Sequence, residues 1–317
     1  MPNLLPAITN KINPWYLTGF ADGEGSFSFG IIKKEPRLDG TIRYHAQVEF
    51  NLPASNNPLN KTQLEAIQKY LDVGKIYTSE ANNNNQSLLK LRVTSIEDCF
   101  RVRKHFEEFP LLTDKAKYFK LWCKVLDFII NKEHLNQEGL NKIVALKALS
   151  PKGLSLKLQE TFPNYKNYLA QKEEYAPNWN NINIHWLAGF INADGHFKAQ
   201  VRKSNNAKLG KQVQPLIAIT QHTNNLTVLY KIQEFLNLGH VSIRTSQPGA
   251  DYKITNLNES NLFIEKFKEA QLLGAKSLDY NDFCTIITLL NENKPLTKEV
   301  LSKIELINSN VNNKRLF

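Results

Sequence analysis

The chain carries one segment twice. "LTGFADGEG" at residues 17–25 returns as "LAGFINADG" at residues 187–195, which sets residue 17 against residue 187, 170 positions on. Other segments return in the same order. "IQKYLDVG" (67–74) recurs as "IQEFLNLG" (232–239), and "FPLLTDKAKYF" (109–119) recurs as "AQLLGAKSLDY" (270–280). "NKEHLNQEGLNKI" (131–143) is answered by "NENKPLTKEVLSKI" (291–304). Segments repeated in register mean a duplicated domain, and 317 residues suffice for two domains of roughly 150 residues. One domain is expected over 1–149, a second over 183–317, and a partly helical linker without counterpart over 150–182. Two copies in one chain imply a pseudo-two-fold arrangement, a homodimer made covalent.

Periodicity gives the elements of each copy. Asn13-Pro14 reads as an N-cap and first helical position, so a helix should run through "PWYLTGFADGEG"; Asn183 can cap its counterpart. After the motif the period changes to two. Phe27, Phe29 and Ile31 point one way and Ser26, Ser28 and Gly30 the other; Phe197, Ala199 and Val201 oppose His196, Lys198 and Gln200. The next strand sets Ala46, Val48, Phe50 and Leu52 against His45, Gln47, Glu49 and Asn51. "LLKLRVTS" (88–95) sets Leu89, Leu91 and Val93 against Lys90 and Arg92. Leu64, Ile67 and Leu71 then keep helical spacing, with Gly74 expected just past the helix end as a C′ glycine. The order helix, strands, helix, strands, helices predicts an α+β fold: antiparallel sheets with helices packed on one face.

The other sheet face is polar, and the overall charge bears on what it meets. Lys and Arg total 40 against 30 acidic residues, for a net charge of +10, which points to a polyanionic partner. No apolar run approaches the roughly 20 residues needed to span a bilayer, and "MPNLLPAITN" lacks the pattern of a secretory signal. Three scattered cysteines fit a reducing compartment and exclude a zinc ribbon. Nucleic acid remains. Open strands rich in Arg, Lys, Gln and Asn can read base edges in a major groove, and nine or ten residues span about 30 Å, near one turn of DNA. In the first copy the candidate DNA contacts are Ser26, Ser28, Lys34, His45, Gln47 and Glu49, then Asn51, Lys90 and Arg92. In the second they are His196, Lys198, Gln200 and Arg202, then Gln212, Gln214 and Lys253.

Each motif ends in an acid at its eighth position, Glu24 and Asp194. The glycines do not form a phosphate-binding loop, because the helix precedes them and no G-K-[ST] follows. An EF-hand starting at Asp22 would need a glutamate where Lys33 stands. A carboxylate at the negative end of a helix dipole is disfavoured unless a cation joins it. All-oxygen ligands of this kind suit Mg²⁺. Gly19 and Gly189 would let two such helices touch and carry both acids to one place.

The paired motifs, each followed by an alternating strand, resemble those of single-chain LAGLIDADG homing endonucleases of the intron-encoded type, over nearly the whole chain. The resemblance implies two pseudo-symmetric domains whose sheets form a saddle on double-stranded DNA, with the motif helices at the domain interface. Glu24 and Asp194 would bind Mg²⁺, two or three divalent ions in all, with the carbonyls of Gly23 and Ala193 assisting and Mn²⁺ or Ca²⁺ able to substitute for binding. Gln221 in "ITQH" would orient water and Arg244 would offset transition-state charge; Ala54 and Ser79 hold those places in the first copy. Asp22 and Asn192 would be interface hydrogen-bonding groups. The implied product is a double-strand break in a long non-palindromic target, made by a monomer with no membrane partner. A fungal mitochondrion is the implied compartment, in keeping with an Asn/Lys/Ile-rich composition. A group I intron RNA maturase of the same fold is one alternative, and a non-catalytic DNA-binding protein is another. Retention of both acids favours cleavage.

Overall fold

The structure is a computed structural model that describes residues 12–40, 42–80, 87–151, 153–170 and 175–311. Helix α1 (Pro14–Glu24) starts where Asn13 accepts a hydrogen bond from the Trp15 amide at 2.9 Å, with Pro14 in the first turn. Its counterpart α7 (Ile184–Asp194) starts at Asn183, whose side chain accepts from His185 and Trp186. Both acids are therefore the last residues of capped helices. That is why they stand at equivalent places.

Strands β1 (Ser26–Lys33), β2 (Tyr44–Ser55), β3 (Lys75–Ser79) and β4 (Leu88–Val93) form an antiparallel sheet in the order β1-β2-β4-β3. Strands β5 (Gly195–Lys203), β6 (Lys211–Gln221), β7 (His240–Ile243) and β8 (Ala250–Ile254) repeat it as β5-β6-β8-β7. Helices α2 (Pro58–Leu71), α3 (Ile96–Glu108), α4 (Lys115–Ile130) and α5 (Gln137–Ala148) belong to the first half. Helices α8 (Leu226–Leu236), α9 (Leu257–Lys266), α10 (Lys276–Glu292) and α11 (Lys298–Ser309) belong to the second. The α+β expectation holds: two four-stranded antiparallel sheets, each backed by helices. Phe27, Val48, Phe50, Leu91 and Val93 are buried beneath one sheet, and Phe197, Ile217, Tyr252 and Ile254 beneath the other. Leu17, Phe20, Leu187 and Phe190 join both into one core.

One detail differs from the sequence reading. Helix α2 ends at Asp72, itself left-handed at φ 53°; Gly74, at φ 73°, comes two residues later and turns the chain into β3. There Gln68 donates to the Gly74 carbonyl, and a Cβ at Gly74 would lie 2.6 Å from the Arg92 carbonyl oxygen. The glycine is needed for close approach to β4 rather than for the cap itself. The segment between the halves is also packed: α6 (Leu156–Thr161) leads to Phe162 and Tyr165, which bury against Leu140, Val144 and Ala145 of α5. Among the described residues no helix is long and apolar enough to cross a membrane.

Helices α1 and α7 touch backbone to backbone. A Cβ at Gly19 would lie 1.9 Å from the Trp186 carbonyl oxygen, and one at Gly189 would lie 2.0 Å from that of Tyr16. Gly19→Ala gains about 1 kcal/mol of helix propensity. Parting two packed helices costs more, about 1–3 kcal/mol for overpacking of this kind and upward. The clash wins, so Gly19→Ala should lower the thermal unfolding midpoint. A midpoint that rises instead would mean the seam opens freely.

Candidate active site at the helix crossing

The crossing of α1 and α7 delivers the two acids together. A Cβ at Gly23 would meet Ala193 Cβ at 2.2 Å and Asp194 Oδ2 at 2.9 Å, so the Asp194 carboxylate lies against the last turn of α1. Both acids are half-buried. Burial raises the pKa of Glu24, and the charge of Asp194 raises it further, against the pull of Lys115. Burial likewise raises that of Asp194, against a hydrogen bond from Gln221 and the charges of Lys115 and Lys276. The Gln221 amide donates to Asp194 Oδ2 at 2.7 Å. In the first half Ala54 stands near the end of β2, so Glu24 lacks an equivalent amide at that place.

Two lysines complete the cluster. Lys115, the first residue of α4, donates through Nζ to the carbonyls of Ala21, at 3.2 Å, and Gly23. Lys276, the first residue of α10, donates to the Gly195 carbonyl at 2.8 Å and lies 3.9 Å from Asp279. Burial lowers the pKa of each, while the surrounding acids oppose that shift. Neither lysine was among the predicted site residues. The signal was present, because "LLTDK" and "LLGAK" set Lys115 and Lys276 in register between the copies.

The remaining motif positions hold the seam. Asp22, 2% exposed, accepts from the Leu112 amide (2.9 Å), the Thr113 amide (3.0 Å) and hydroxyl (2.6 Å), and Trp186 Nε1 of the other half (2.8 Å). Asn192 Oδ1 accepts from the Leu273 amide at 3.3 Å. Arg244 stands just past β7, beside the end of β6. It pairs with Asp251 through Nε (3.0 Å) and Nη2 (2.5 Å), and Nη2 also donates to Thr220. Lys253 adds a second contact to the same carboxylate at 3.0 Å. Arg244 and Lys253 push the Asp251 carboxyl far below its ordinary pKa, outweighing its burial. Arg244 and Lys253 share this one carboxylate, so the group keeps a net positive charge.

The predicted DNA contacts share the outer sheet faces, with one correction: Asn51 is buried there and turned onto Glu49, so it is not open to a partner. Ser26 and Ser28 pair with Asn51 and Glu49, Arg92 lies opposite Asn51, and His45, Gln47 and Lys90 continue that face; Lys34 follows β1. Glu49 is its hub, holding Arg92 at 2.6 Å, Gln47 at 3.2 Å, and Asn51. In the second half Gln200 pairs with Gln214 and Arg202 with Gln212, while His196 and Lys253 both lie opposite Ala218 and Lys198 opposite Leu216. Burial, helped by Lys198 and Lys276, pushes His196 down to about 4, so it meets a partner uncharged at neutral pH.

The cluster suits a hard divalent cation. Two carboxylates in one place are both pushed up by loss of solvent, a strain that a cation relieves. Among the described residues no group of three or more His, Cys, Asp or Glu could hold a metal. Two carboxylates and nearby carbonyls are the donor set this chain offers. The Gly23 carbonyl already accepts from Lys115, which leaves it one lone pair.

A sequence-family model described as "LAGLIDADG endonuclease" matches residues 17–126 and 187–287. "Probable intron-encoded endonuclease 3" of Neurospora crassa is 31% identical over 94% of this chain and 54% of its own length. "Probable intron-encoded endonuclease 2" of the same fungus is 27% identical over 98% of this chain and 67% of its own length. The chain therefore spans between half and two thirds of the length of these relatives. Among solved structures, the I-LtrWI LAGLIDADG homing endonuclease bound to target DNA superposes with a TM-score of 0.85 at 35% identity, covering 96% of this chain and 98% of that one. I-SmaMI bound to cleaved DNA gives 0.87 at 31% identity, covering 96% and 99%. I-SmaMI bound to uncleaved DNA in the presence of calcium ions gives 0.84 at 30% identity, covering 95% and 99%.

Proposed function

Because the chain belongs to the LAGLIDADG endonuclease family, we propose that it is a site-specific DNA endonuclease making a Mg²⁺-dependent double-strand break in a long, non-palindromic target. The observation that carries the reading is the meeting of Glu24 and Asp194 at the α1–α7 crossing with a half-buried lysine beside each. The DNA-bound relatives support a duplex as substrate. Residues 1–149 and 183–317 act as one domain each, joined by 150–182, and the chain works as a monomer. Its intron-encoded fungal relatives support a mitochondrial place of action.

Glu24 and Asp194, with the Gly23 and Ala193 carbonyls, would hold two or three divalent cations. Bound there, these supply Lewis-acid stabilisation of the scissile phosphates and lower the pKa of the attacking water. The chain's own residues do the rest. Burial lowers the pKa of Lys115 and Lys276, and a phosphate brought beside them favours the ammonium form. Each then offsets charge that builds on one phosphate. Gln221 holds the Asp194 carboxylate in one orientation through its amide, while its own carbonyl oxygen accepts from Asn225. Two adjacent acids match two phosphates facing each other across a minor groove about 6 Å wide. Arg244, held by Asp251 beside Thr220 and Gln221, would offset transition-state charge, while Lys253 serves recognition on the second face. Ser26 and Ser28 against His196 and Lys198 make the two half-sites different, so the target lacks two-fold symmetry.

The test is cleavage selection from a randomised duplex library. With Mg²⁺ it should recover one family of long asymmetric sites cut on both strands, and none when the metal is chelated. Tight, selective binding with intact strands in Mg²⁺ would overturn the reading.

A further inference from the structure

The helices that begin at the two site lysines are each tied to the opposite half by one asparagine. The first N–H groups of an α-helix have no partner within it. At the N-cap of α4, Asp114 makes no side-chain cap, and its own amide donates to Asn225 Oδ1 at 3.2 Å. At the N-cap of α10, Ala275 cannot cap, and its amide donates to Asn60 Oδ1 at 2.9 Å. Asn60 and Asn225 are equivalent in the duplication, since each stands seven residues before the "IQ" of the recurring helix segment. The same bond is therefore made twice across the pseudo-two-fold. Asn225 even occupies the N-cap of α8 without capping it, because its side chain is turned across the seam.

Each asparagine also grips the end of the second strand of its own half. Asn60 Nδ2 donates to the Ser55 carbonyl at 3.0 Å. Asn225 Nδ2 donates to Gln221 Oε1 at 3.1 Å, and Gln221 in turn holds Asp194. One brace thus runs from a strand end to the Lys276 helix. The other runs from Asp194 through Gln221 and Asn225 to the Lys115 helix. The space around the first is closed, since a Cβ at Gly274 would lie 2.4 Å from Asn60 Oδ1 and 2.3 Å from Gln63 Oε1.

From this geometry we infer that Asn60 and Asn225 are positioning residues that set each site lysine from the opposite half, and that Asn225, through Gln221, also ties the Asp194 centre to the Lys115 helix. The inference rests on the endonuclease reading for its kinetic consequence. Each side chain acts through a helix start. A shift of about 1 Å in a reacting group can cost on the order of 10²-fold in rate, so losing one hydrogen bond at a helix start should be visible strand by strand.

The experiment follows both strands of an end-labelled target at single turnover in Mg²⁺. Lys115→Met and Lys276→Met first identify which strand each centre cuts. Asn60→Ala should then slow the Lys276 strand by about 10- to 10²-fold and leave the other within a factor of about two. Asn225→Ala should slow both strands. Asn225→Asp keeps the acceptor for the Asp114 amide and loses the donor to Gln221, so it should slow the Lys276 strand alone. Equal slowing of both strands by Asn60→Ala, or no slowing by Asn225→Ala, overturns the inference. A second measurement needs no substrate: hydrogen exchange of the Asp114 amide should quicken in Asn225→Ala, and that of the Ala275 amide in Asn60→Ala. Unchanged exchange at those amides also overturns it. If the wild-type chain cuts no DNA, the endonuclease reading falls while exchange still decides the braces.

Discussion

Glu24→Gln and Asp194→Asn are each expected to abolish double-strand cleavage, by at least about 10³-fold, the scale of removing one preorganised electrostatic group. Binding to the target in Ca²⁺ should stay within a few-fold of wild type. The separation follows from where the acids sit. They end the seam helices, while the recognition residues lie on the sheet faces. The isosteric amides keep the shape of the crossing and remove the charge that a divalent cation needs. For Glu24→Gln the folded chain should be no less stable and melt at an equal or higher temperature, because a carboxylate disfavoured by burial and by Asp194 has been neutralised. The sign for pH follows as well. Both carboxyls are raised, so the ionised pair is reached only above the ordinary carboxylate range, and cleavage should fail on acidification earlier than for unperturbed acids. Binding lost in parallel with cleavage would make these acids structural.

Asp22→Ala should have the largest effect on folding. The carboxylate receives four donors from three residues, two of them backbone amides and one the indole of the opposite half. Burial raises its pKa while these bonds lower it, so the four donors are what make the buried acid tolerable. Truncation strands all four, and each orphaned buried donor costs about 1–3 kcal/mol. Even with partial rehydration a loss of at least about 3 kcal/mol is expected, or on the order of 10 °C in the melting midpoint. Asp22→Asn keeps one acceptor oxygen and sets an NH₂ against N–H donors, so it should rescue little. Trp186→Phe strands no donor but leaves a cavity where the buried indole stacks on Phe190, so it should cost less than Asp22→Ala without being silent. Thermal melts of the three variants check the ranking. A melt of Asp22→Ala near wild type would show that Asp22 carries none of the seam.

Periodicity made most of the fold legible before any coordinates. The alternation of Phe27, Phe29, Val48 and Phe50, and the caps at Asn13 and Asn183, are local signals with physical causes that act within a few residues. The acids were legible for a different reason: duplication puts Glu24 and Asp194 in register, and chance seldom does so twice. What stayed hidden depends on contacts across long stretches of chain. Lys115 reaches Gly23 from 92 residues away, and Asn60 reaches Ala275 from 215 away. No window of sequence contains both partners. Arg244 shows the converse, since its partner Asp251 stands only seven residues on, within one window of sequence. Gly74 shows a smaller version, for a glycine after a helix suggested a cap while a neighbouring strand was the reason for it.

The backbone contact between α1 and α7 has a consequence for how such a chain can change over generations. The seam tolerates almost nothing, since Gly19 and Gly189 have no room for one added carbon. Side chains on the open faces, such as Ser28 and Lys198, lie outside it, and exchanging them disturbs no atom of the crossing. One molecule thus has two clocks. The cutting machinery is held nearly still, while the reading surfaces can drift one half at a time, so a lineage can follow a shifting target without passing through an inactive form.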